Sequence, residues 1–194
     1  MPGMSGSFPR VSTPRLDVPG ELLGRCRQGD DDARRQLFDA TLPHVRRILF
    51  RLAGPRDLDD LSQQAFLEIF RSLDRYQGRG AFSSWVFGIC LRVARKRARG
   101  LSRFLRFRER WAAEAEDPAP GLDHDAARLE RARAVERTLA RLPFEQRAVL
   151  VMFEMEGQSG GEIALALEIP EPTVWTRLHR ARKNFARLYP WPEK

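Results

Sequence analysis

Residues 159–182 read SGGEIALALEIPEPTVWTRLHRAR, and this stretch decides the fold of the second half of the chain. Its apolar residues recur at spacings of three and four, which predicts a short helix, a tight turn at Pro170 and a longer second helix. This is the spacing of a helix-turn-helix, whose second helix is shaped for the DNA major groove. The residues placed to form a small core between the two helices are Ile163, Leu167, Val174 and Leu178.

The second helix of this motif, predicted from Thr173 to Leu188, carries side chains suited to DNA. Arginine makes bidentate contacts to guanine edges or to phosphates. Residues near the helix start are expected to reach bases, whereas Arg180, Arg182 and Lys183 are expected to hold the backbone. A solvated basic helix in an ordinary bundle has a similar composition, and the pattern alone leaves that alternative open. The candidate DNA-contacting residues are Glu171, Thr173, Trp175, Thr176, Arg177, His179, Arg180 and Lys183.

A second candidate nucleic-acid segment is FSSWVFGICLRVARKRAR at residues 82–99, where aromatic residues precede a dense run of cations. This combination suits unpaired DNA, because bases stack on aromatic rings while cations hold phosphates. Taken singly, Trp85 and Phe87 are more often core residues than base platforms. The basic run is harder to assign to an ordinary solvated face, since such faces usually mix both signs of charge.

A third candidate is the helix predicted from Asp57 to Tyr76. Leucine, alanine and isoleucine residues spaced three and four apart give it one apolar face. The opposite face is acidic and amide-rich, and either a docked partner or solvent accounts for it equally well. The residues on this opposite face are Asp60, Gln63, Gln64, Glu68 and Arg71.

Helical periodicity dominates the rest of the chain, and no convincing alternating strand is found. Acidic residues at 30–32 begin a helix that Gly54-Pro55 ends. The second half is predicted to form helices at 125–141, 144–156, 159–167 and 173–188. The predicted fold class is therefore all-α, with two small helical domains of four helices each joined by an acidic flexible linker.

Charge divides the 194 residues into the same parts. Residues 1–113 carry a net charge of +10, residues 114–131 carry −4 and residues 132–194 carry +2, against +8 for the whole chain. The acidic middle contains prolines and glycine, which break helices and resist collapse. The predicted organisation is a disordered tail at 1–20, a first domain at 21–112, an acidic linker at 113–125 and a second domain at 126–190.

Several function classes lack support in the sequence. No apolar run approaches the roughly 18 residues that span a bilayer, and we expect a cytoplasmic protein without direct membrane insertion. Cys26 and Cys90 lie far apart, and the three histidines show no metal-ligand spacing. No catalytic motif is recognisable. We therefore expect no enzyme activity, no cofactor, no metal and no small-molecule substrate.

Three stretches together resemble the extracytoplasmic-function (ECF) sigma factors of the sigma-70 superfamily. They are LLGRCRQGDDDARRQLFDATLPHVRRI at 22–48, DLDDLSQQAFLEIFRSLDRYQGRGAFSSWVFGI at 57–89 and LARLPFEQRAVLVMFEMEGQSGGEIALALEIPEPTVWTRLHRARKNF at 139–185. They occur in the family's order and cover most of the chain. The resemblance implies a transcription initiation factor that binds core RNA polymerase and promoter DNA and is controlled by an anti-sigma factor.

The resemblance also implies roles for particular residues. Residues 22–100 look like sigma region two, whose second helix docks on the clamp helices of the largest polymerase subunit. The docking residues would be Asp60, Gln63, Gln64, Phe66, Leu67 and Glu68. The loop at 76–84 would capture a base flipped from the minus-ten element, and the basic helix after it would hold adjacent DNA. The minus-ten residues would be Tyr76, Arg79, Phe82, Ser84, Trp85, Arg92, Arg95, Lys96 and Arg99.

Residues 126–188 look like sigma region four, which reads the minus-thirty-five element and contacts the flap of the second-largest polymerase subunit. The chain departs from the family pattern in places, which leaves its polymerase contacts and promoter preference open. The departures are Gln64, Arg92, Glu168, Pro172 and Trp175. Alternative hypotheses are a self-sufficient helix-turn-helix regulator, which would need to dimerise, an enzyme acting on nucleic acid, and a basic membrane-surface protein.

Overall fold

The computed structural model describes residues 16–78, 80–108 and 126–190, with side chains at 16–78, 80–100 and 130–190. All regular elements in these ranges are helical, which confirms the predicted fold class. A 3-10 turn follows α3 at Leu73–Arg75, and a π-helical turn follows α6 at Val151–Met155. The α-helices are α1 Gly20–Arg27, α2 Asp31–Ala53, α3 Leu58–Ser72, α4 Phe82–Arg108, α5 Ala126–Ala140, α6 Phe144–Leu150, α7 Gly160–Leu167 and α8 Glu171–Leu188.

The boundaries of α2 follow directly from the sequence. The Asp30 carboxylate accepts hydrogen bonds from the backbone N–H groups of Asp32 and Ala33 at 3.0 Å, as expected of a helix N-cap. These bonds, together with the Arg25 guanidinium, lower the pKa of Asp30. The helix ends at Gly54, whose φ of 83° suits glycine and stops the chain from continuing as a helix.

Several boundaries differ from the sequence prediction. The helix predicted at 144–156 is α-helical only to Leu150 and continues as a π-helical turn, and α8 begins at Glu171 rather than Thr173. Helix α4 continues to Arg108 rather than ending near Arg99, because the residues after Gly100 contain no helix breaker. At the other end of the chain, the predicted tail includes residues that pack, since Val18 is only 9% exposed. The predicted acidic linker at 113–125 lies outside the described residues.

The two halves of the chain pack around one continuous core. Helices α2, α3 and α4 bury Leu37, Ile48 and Phe87 in the first half, and Met152 and the helix-turn-helix core fill the second. Helix α4 lies against α7, and α2 lies against α5 and α6, so the core crosses from one half to the other. The buried helix-turn-helix residues, with at most 5% exposure, are Ile163, Leu167, Val174 and Leu178, as predicted.

A buried ionic cluster joins the halves; we call it the Glu156 cluster, and its members are Glu156, His44, Arg47 and Arg51. The Glu156 side chain is 3% exposed and accepts hydrogen bonds from Arg51 at 2.8 Å and from Arg47 at 3.3 Å. Arg47 also donates to Nδ1 of His44 at 2.7 Å. Burial lowers the pKa of His44 to about 4, and burial likewise lowers the pKa of Arg51.

The depressed pKa of His44 predicts a stability that depends on pH. The unfolded chain takes up this proton near pH 6.5, whereas the folded chain resists it until about pH 4. Stability is therefore fully present above pH 6.5 and falls as the pH is lowered through this window. Between pH 7.5 and 5.5 we expect the free energy of unfolding to drop by about 1 kcal/mol, measured by urea unfolding.

A His44→Asn variant should lose this pH dependence, while His179→Asn on an exposed face of α8 should keep it. Other charges face His44, namely Glu156, Arg47 and Arg51, and nearby Glu136 has its pKa raised by burial. The Glu136 carboxyl contributes the opposite dependence, which His44→Asn and the unaltered chain share, so the difference between their pH profiles isolates His44. An unchanged slope in His44→Asn would contradict the assignment.

Both cysteines are free and buried, and burial raises the pKa of the Cys26 and Cys90 thiols. They are therefore structural residues of the core. Among the described residues, no group of histidine, cysteine or acidic side chains has the arrangement of a metal site. No helix in the described ranges has the length and apolar composition needed to cross a bilayer.

Candidate nucleic-acid interface

The outer face of α3 combines polar side chains with one exposed leucine. Leu67 is 55% exposed and lies among the polar side chains of this face. Phe66 is only 5% exposed and packs on Phe38 with ring centroids 4.4 Å apart. The structure thus places Phe66 in the core rather than on a docking face. We call the exposed set the α3 surface, and its members are Asp60, Gln63, Gln64, Leu67 and Glu68.

A cleft of about 630 Å³ separates α3 from α4 and connects the α3 surface to the basic helix. Gln64 and Leu67 line one wall, and Arg92 and Lys96 line the other. Both cations are exposed. The predicted polymerase-docking residues therefore adjoin the cations predicted to hold DNA, and the two surfaces share one edge of the molecule.

The loop between α3 and α4 is held by hydrogen bonds to its own backbone and to α1. The Tyr76 hydroxyl donates to the carbonyl of Gly80 at 2.7 Å, and burial raises the pKa of Tyr76. The Arg27 guanidinium donates to the carbonyl oxygens of Leu73 and Tyr76, at 3.3 and 2.6 Å. These bonds shape the loop before any ligand is present. Arg79, also predicted to contact minus-ten DNA, lies outside the described residues.

Three aromatic rings cluster at this loop. The centroids of Tyr76, Phe82 and Trp85 lie 5.3 to 5.5 Å apart. Phe82 is 5% exposed and packs against the other two rings. Phe87 is fully buried, which assigns it to the core and removes it as a base platform.

A cavity of about 270 Å³ opens beside these rings. Tyr76, Ala81, Ser84 and Trp85 line it from the first half of the chain, and α7 lines it from the second half. Ser84 is 8% exposed, and its hydroxyl lies 3.4 Å from a carboxylate oxygen of Glu162. The predicted base-capture loop therefore faces the helix-turn-helix.

Two further cations of α4 are paired with acidic groups. Arg97 forms an ion pair with Asp57, at the start of α3. Arg95 donates to Glu145 of α6 at 3.1 Å, and its guanidinium lies 6.0 Å from the centre of the Phe144 ring. Arg99 is exposed, as are Arg92 and Lys96. The basic run is thus partly open to solvent and partly tied to the second half.

The second helix of the helix-turn-helix, α8, presents most of its predicted DNA-contacting residues to solvent. Arg177 is half-buried and donates to Glu145 at 2.8 Å. Arg182, expected to hold the DNA backbone, instead donates to Glu154 at 2.7 Å and lies over the Phe153 ring. Thr173 is half-buried. The exposed candidates are Glu171, Trp175, Thr176, His179, Arg180 and Lys183.

Trp175 rests in a notch made by a glycine. It is 45% exposed and meets the Phe153 ring edge-on at 5.5 Å. A Cβ atom built on Gly160 would lie 2.4 Å from the indole and 2.6 Å from the Glu171 carboxylate. Gly160 is therefore required for this position of the indole. In this position the indole is a flat apolar surface on the exposed face of α8.

A capping box formed by Ser159 and Glu162 closes the start of α7. The Ser159 hydroxyl accepts from the backbone N–H of Glu162 at 3.3 Å, and the Glu162 carboxylate accepts from the N–H of Ser159 at 2.8 Å. Serine followed three residues later by glutamate is the signature of this motif. The capping box fixes the angle at which the chain enters α7.

The turn between α7 and α8 contains a residue in the left-handed region. Glu168 has a φ of 55° and ends α7, a position that glycine occupies without steric cost. We expect Glu168→Gly to raise the free energy of unfolding by about 0.5–1 kcal/mol in urea titrations. The same replacement at Glu130 inside α5 should lower it by about 1 kcal/mol. A loss of stability at both positions would argue against strain at Glu168.

Comparison with known proteins gives a consistent picture. The family model Sigma-70 region 2 matches residues 37–104, and the model Sigma-70, region 4 matches residues 132–185. The chain is 36% identical over 173 residues to the ECF RNA polymerase sigma factor SigM of Mycobacterium tuberculosis, covering 87% of this chain and 83% of SigM.

Two solved structures share the fold. One is CnrH in complex with the cytosolic domain of CnrY, with a TM-score of 0.60 and 27% identity, covering 87% of this chain and 94% of CnrH. The other is the sigma factor RpoE of Bartonella quintana in complex with the anti-sigma factor NepR. Its TM-score is 0.63 and its identity 19%, covering 79% of this chain and 94% of RpoE.

Proposed function

Because this chain belongs to the ECF sigma factors of the sigma-70 family, which bind core RNA polymerase and start transcription at promoters, we propose how its surfaces divide that work. The α3 surface binds polymerase, the loop at 76–84 and α4 hold the minus-ten element, and α8 reads the minus-thirty-five element. The observation that carries this division is that the α3 surface and the 76–84 loop with its basic helix lie within residues 37–104, matched by the region 2 model, and the exposed side of α8 lies within residues 132–185, matched by the region 4 model.

The α3 surface fits the clamp helices of the largest polymerase subunit. Its exposed leucine is surrounded by amide and acidic groups, and protein interfaces commonly place an apolar anchor within such a polar rim. Phe66 contributes by supporting α3 from beneath, since its ring is buried against Phe38. Gln64 supplies a neutral amide at a position that adjoins the cleft.

The loop at 76–84 fits a base that has left the duplex. Trp85 and Tyr76 offer aromatic faces beside the cavity, and base–aromatic stacking contributes about 1–3 kcal/mol per base. Arg92, Lys96 and Arg99 extend from this loop along one helix and suit the neighbouring phosphates. Ser84 adds a hydroxyl at the floor of the pocket.

Helix α8 fits the major groove of the minus-thirty-five element, and the second half also contacts the flap of the second-largest polymerase subunit. Thr176, His179 and Arg180 lie on its exposed side together with Trp175. An apolar side chain in the groove contacts the methyl group of thymine. We therefore place Trp175 at a thymine of this element.

Replacing Trp175 with alanine is expected to weaken transcription from promoters that depend on the minus-thirty-five element by roughly tenfold, equivalent to ~1.4 kcal/mol. Competition between promoter fragments with an intact or scrambled minus-thirty-five element measures the effect. Gly160→Ala keeps the indole but displaces it from its notch, so a smaller loss in the same direction is expected. Equal discrimination by Trp175→Ala and the unaltered chain would contradict this role.

An anti-sigma factor is the regulator that the comparisons favour. CnrH, which is 27% identical to this chain, was solved in complex with the cytosolic domain of CnrY. An anti-sigma factor that blocks polymerase binding would cover the α3 surface of this chain. We place this chain in the bacterial cytoplasm, where polymerase and chromosome are found.

Site-specific photocrosslinking tests the assignment of surfaces. A crosslinking amino acid at Gln63 should capture the largest polymerase subunit, and one at Arg180 should capture minus-thirty-five DNA in a promoter complex. The same group at Gln36, exposed on α2, serves as the control. Capture of the largest subunit from Gln36 but not from Gln63 would show that α2 rather than α3 faces this subunit.

A further inference from the structure

The exposed side of α8 begins with a carboxylate. Glu171 is the first residue of this helix and its only acid, whereas the rest of the helix carries five basic residues. Glu171 is exposed, and no group within the described part of the chain donates a hydrogen bond or forms an ion pair with its carboxylate. A free carboxylate repels DNA phosphates, so its presence on a DNA-facing side calls for a contact that favours negative charge.

The Glu171 carboxylate lies beside the Trp175 indole. The two residues are four positions apart and therefore share one face of the helix. A Cβ atom built on Gly160 would lie 2.6 Å from a carboxylate oxygen of Glu171 and 2.4 Å from the indole, so the two groups are within about 5 Å of each other. Gly160 is buried beneath them. A hydrogen-bond acceptor and a flat apolar surface are thus held side by side at the start of α8.

Prolines on both sides of Glu171 limit how far its backbone can move. Pro170 precedes the helix, and Pro172 lies in the first turn. Proline fixes its own φ and restricts the backbone of the residue before it. The backbone of Glu171 is therefore largely ordered before DNA binds, and a preorganised contact costs less entropy when it forms.

The neighbouring residues leave the start of the helix to Glu171 and Trp175. Thr173 is half-buried. The Thr176 hydroxyl donates to the Pro172 carbonyl at 3.0 Å, so its hydrogen is used within the helix. In a helix-turn-helix, the N-terminal residues of the second helix contact the edges of the bases. The groups placed to do so here are the carboxylate and the indole.

A carboxylate distinguishes the four bases by their edges in the major groove. Cytosine presents an amino group, and acidic side chains accept a hydrogen bond from it. Guanine and thymine present acceptors, which repel a carboxylate, and adenine places an acceptor next to its amino group. Cytosine is therefore the base that Glu171 favours.

The spacing of the carboxylate and the indole places this cytosine next to the thymine proposed above for Trp175. Neighbouring base pairs are stacked about 3.4 Å apart. The two side-chain groups lie within about 5 Å of each other. Adjacent base pairs satisfy this spacing, whereas pairs three steps apart, at about 10 Å, do not.

We propose that Glu171 is a specificity-determining residue that reads cytosine, and that together with Trp175 it selects a C·G pair directly beside a T·A pair in the minus-thirty-five element. Gly160 is the positioning residue for both, because any side chain at this position displaces the carboxylate and the indole. This inference rests on the proposed assignment of α8 to the minus-thirty-five element and adds the bases that the helix reads there.

Two other roles account for an acid at position 171, and they differ from base reading in their effect on sequence preference. A carboxylate in the first turn stabilises a helix through its dipole, and its removal then changes stability without changing base preference. A carboxylate that faces phosphates weakens binding to every sequence, and its removal then strengthens binding to all sequences alike.

The test is selection of promoters by the chain bound to core polymerase. Each library fragment carries the minus-ten element of a start site that the chain uses, and a randomised minus-thirty-five region. The unaltered chain should enrich a C·G pair beside a T·A pair. Glu171→Gln should lower the preference for cytosine by roughly fivefold or more. It should also shift the preference toward adenine, whose edge pairs with a glutamine amide.

The matched control is Glu168→Gln, which removes the same charge from an exposed position in the turn of the same motif. It should keep the cytosine preference of the unaltered chain. Gly160→Ala should weaken the preferences at both base pairs together, whereas a merely structural role of Gly160 would lower transcription without changing them. Glu171→Gln alters only an exposed side chain and keeps the fold, so it decides the question even where Gly160→Ala does not fold.

An unchanged cytosine preference in Glu171→Gln, or an equal gain in binding to all sequences, would rule out cytosine reading and leave the proposed function standing. Equal loss of the preference in Glu168→Gln would assign the effect to net charge and would rule it out as well. If the unaltered chain starts transcription but selects no base in the minus-thirty-five region, the proposed role of α8 fails, and base reading by Glu171 fails with it.

Discussion

Replacing Leu67 with aspartate is expected to abolish polymerase binding while leaving the fold intact. Leu67 is the large apolar side chain of the α3 surface and is 55% exposed, so its loss removes little packing. A charge at the centre of an interface is desolvated without a partner, and such sites lose 2–4 kcal/mol or more on substitution. We expect affinity for core polymerase to fall by ~100-fold or more, measured by fluorescence polarisation of the labelled chain.

The matched control for Leu67→Asp is Gln36→Asp, which adds the same charge to an exposed position on α2. It should bind polymerase like the unaltered chain. Thermal unfolding of both variants should stay within a few degrees of the original. Normal polymerase affinity in Leu67→Asp would mean that α3 is not the docking helix.

Replacing Phe87 with alanine is expected to lower the free energy of unfolding by about 3–5 kcal/mol, which is a large part of the ~5–15 kcal/mol typical of a folded domain. The ring is fully buried within α4 and contacts the core of the first half. Urea unfolding followed by circular dichroism measures the loss.

The contrast with Trp85→Ala separates a core residue from a base platform. Trp85 is partly exposed beside the cavity, so its replacement should cost less stability, about 1–2 kcal/mol. It should instead weaken binding of the polymerase complex to single-stranded minus-ten DNA by roughly tenfold or more. Similar stability losses with unchanged DNA binding in both variants would remove Trp85 from the base pocket.

The helix-turn-helix was predictable because its signals are local. Ile163, Leu167, Val174 and Leu178 recur at helical spacing, and the structure buries all four. The capping box at Ser159 is equally local and could have been found from its spacing. Periodicity also predicts the α3 face, since apolar residues spaced three and four apart fall on one side of that helix and the polar residues fall on the other.

The contacts between the halves could not be predicted in this way. Glu145 meets Arg95, 50 positions earlier, and Glu156 meets Arg51, 105 positions earlier. Nothing in the residue pattern of 144–156 distinguishes these two acids from solvated ones. Such pairs are set by how whole helices pack, and a residue pattern read along one helix carries no information about them.

Phe66 shows the same limit on a smaller scale. The family resemblance places it among docking residues because it lies in the right segment of α3. The structure turns its ring inward onto Phe38, and leaves Leu67 beside it exposed. One residue along a helix is a rotation of about 100°, so assignment to a segment does not determine the face.

The most direct measurement is run-off transcription with purified core bacterial polymerase, this chain and a library of promoter fragments from its own genome. The account predicts discrete start sites that require the chain, with a common sequence at each of two upstream elements. Loss of those start sites in Leu67→Asp and their retention in Gln36→Asp would connect them to the α3 surface. No initiation, together with no co-elution of the chain with core polymerase, would contradict the account.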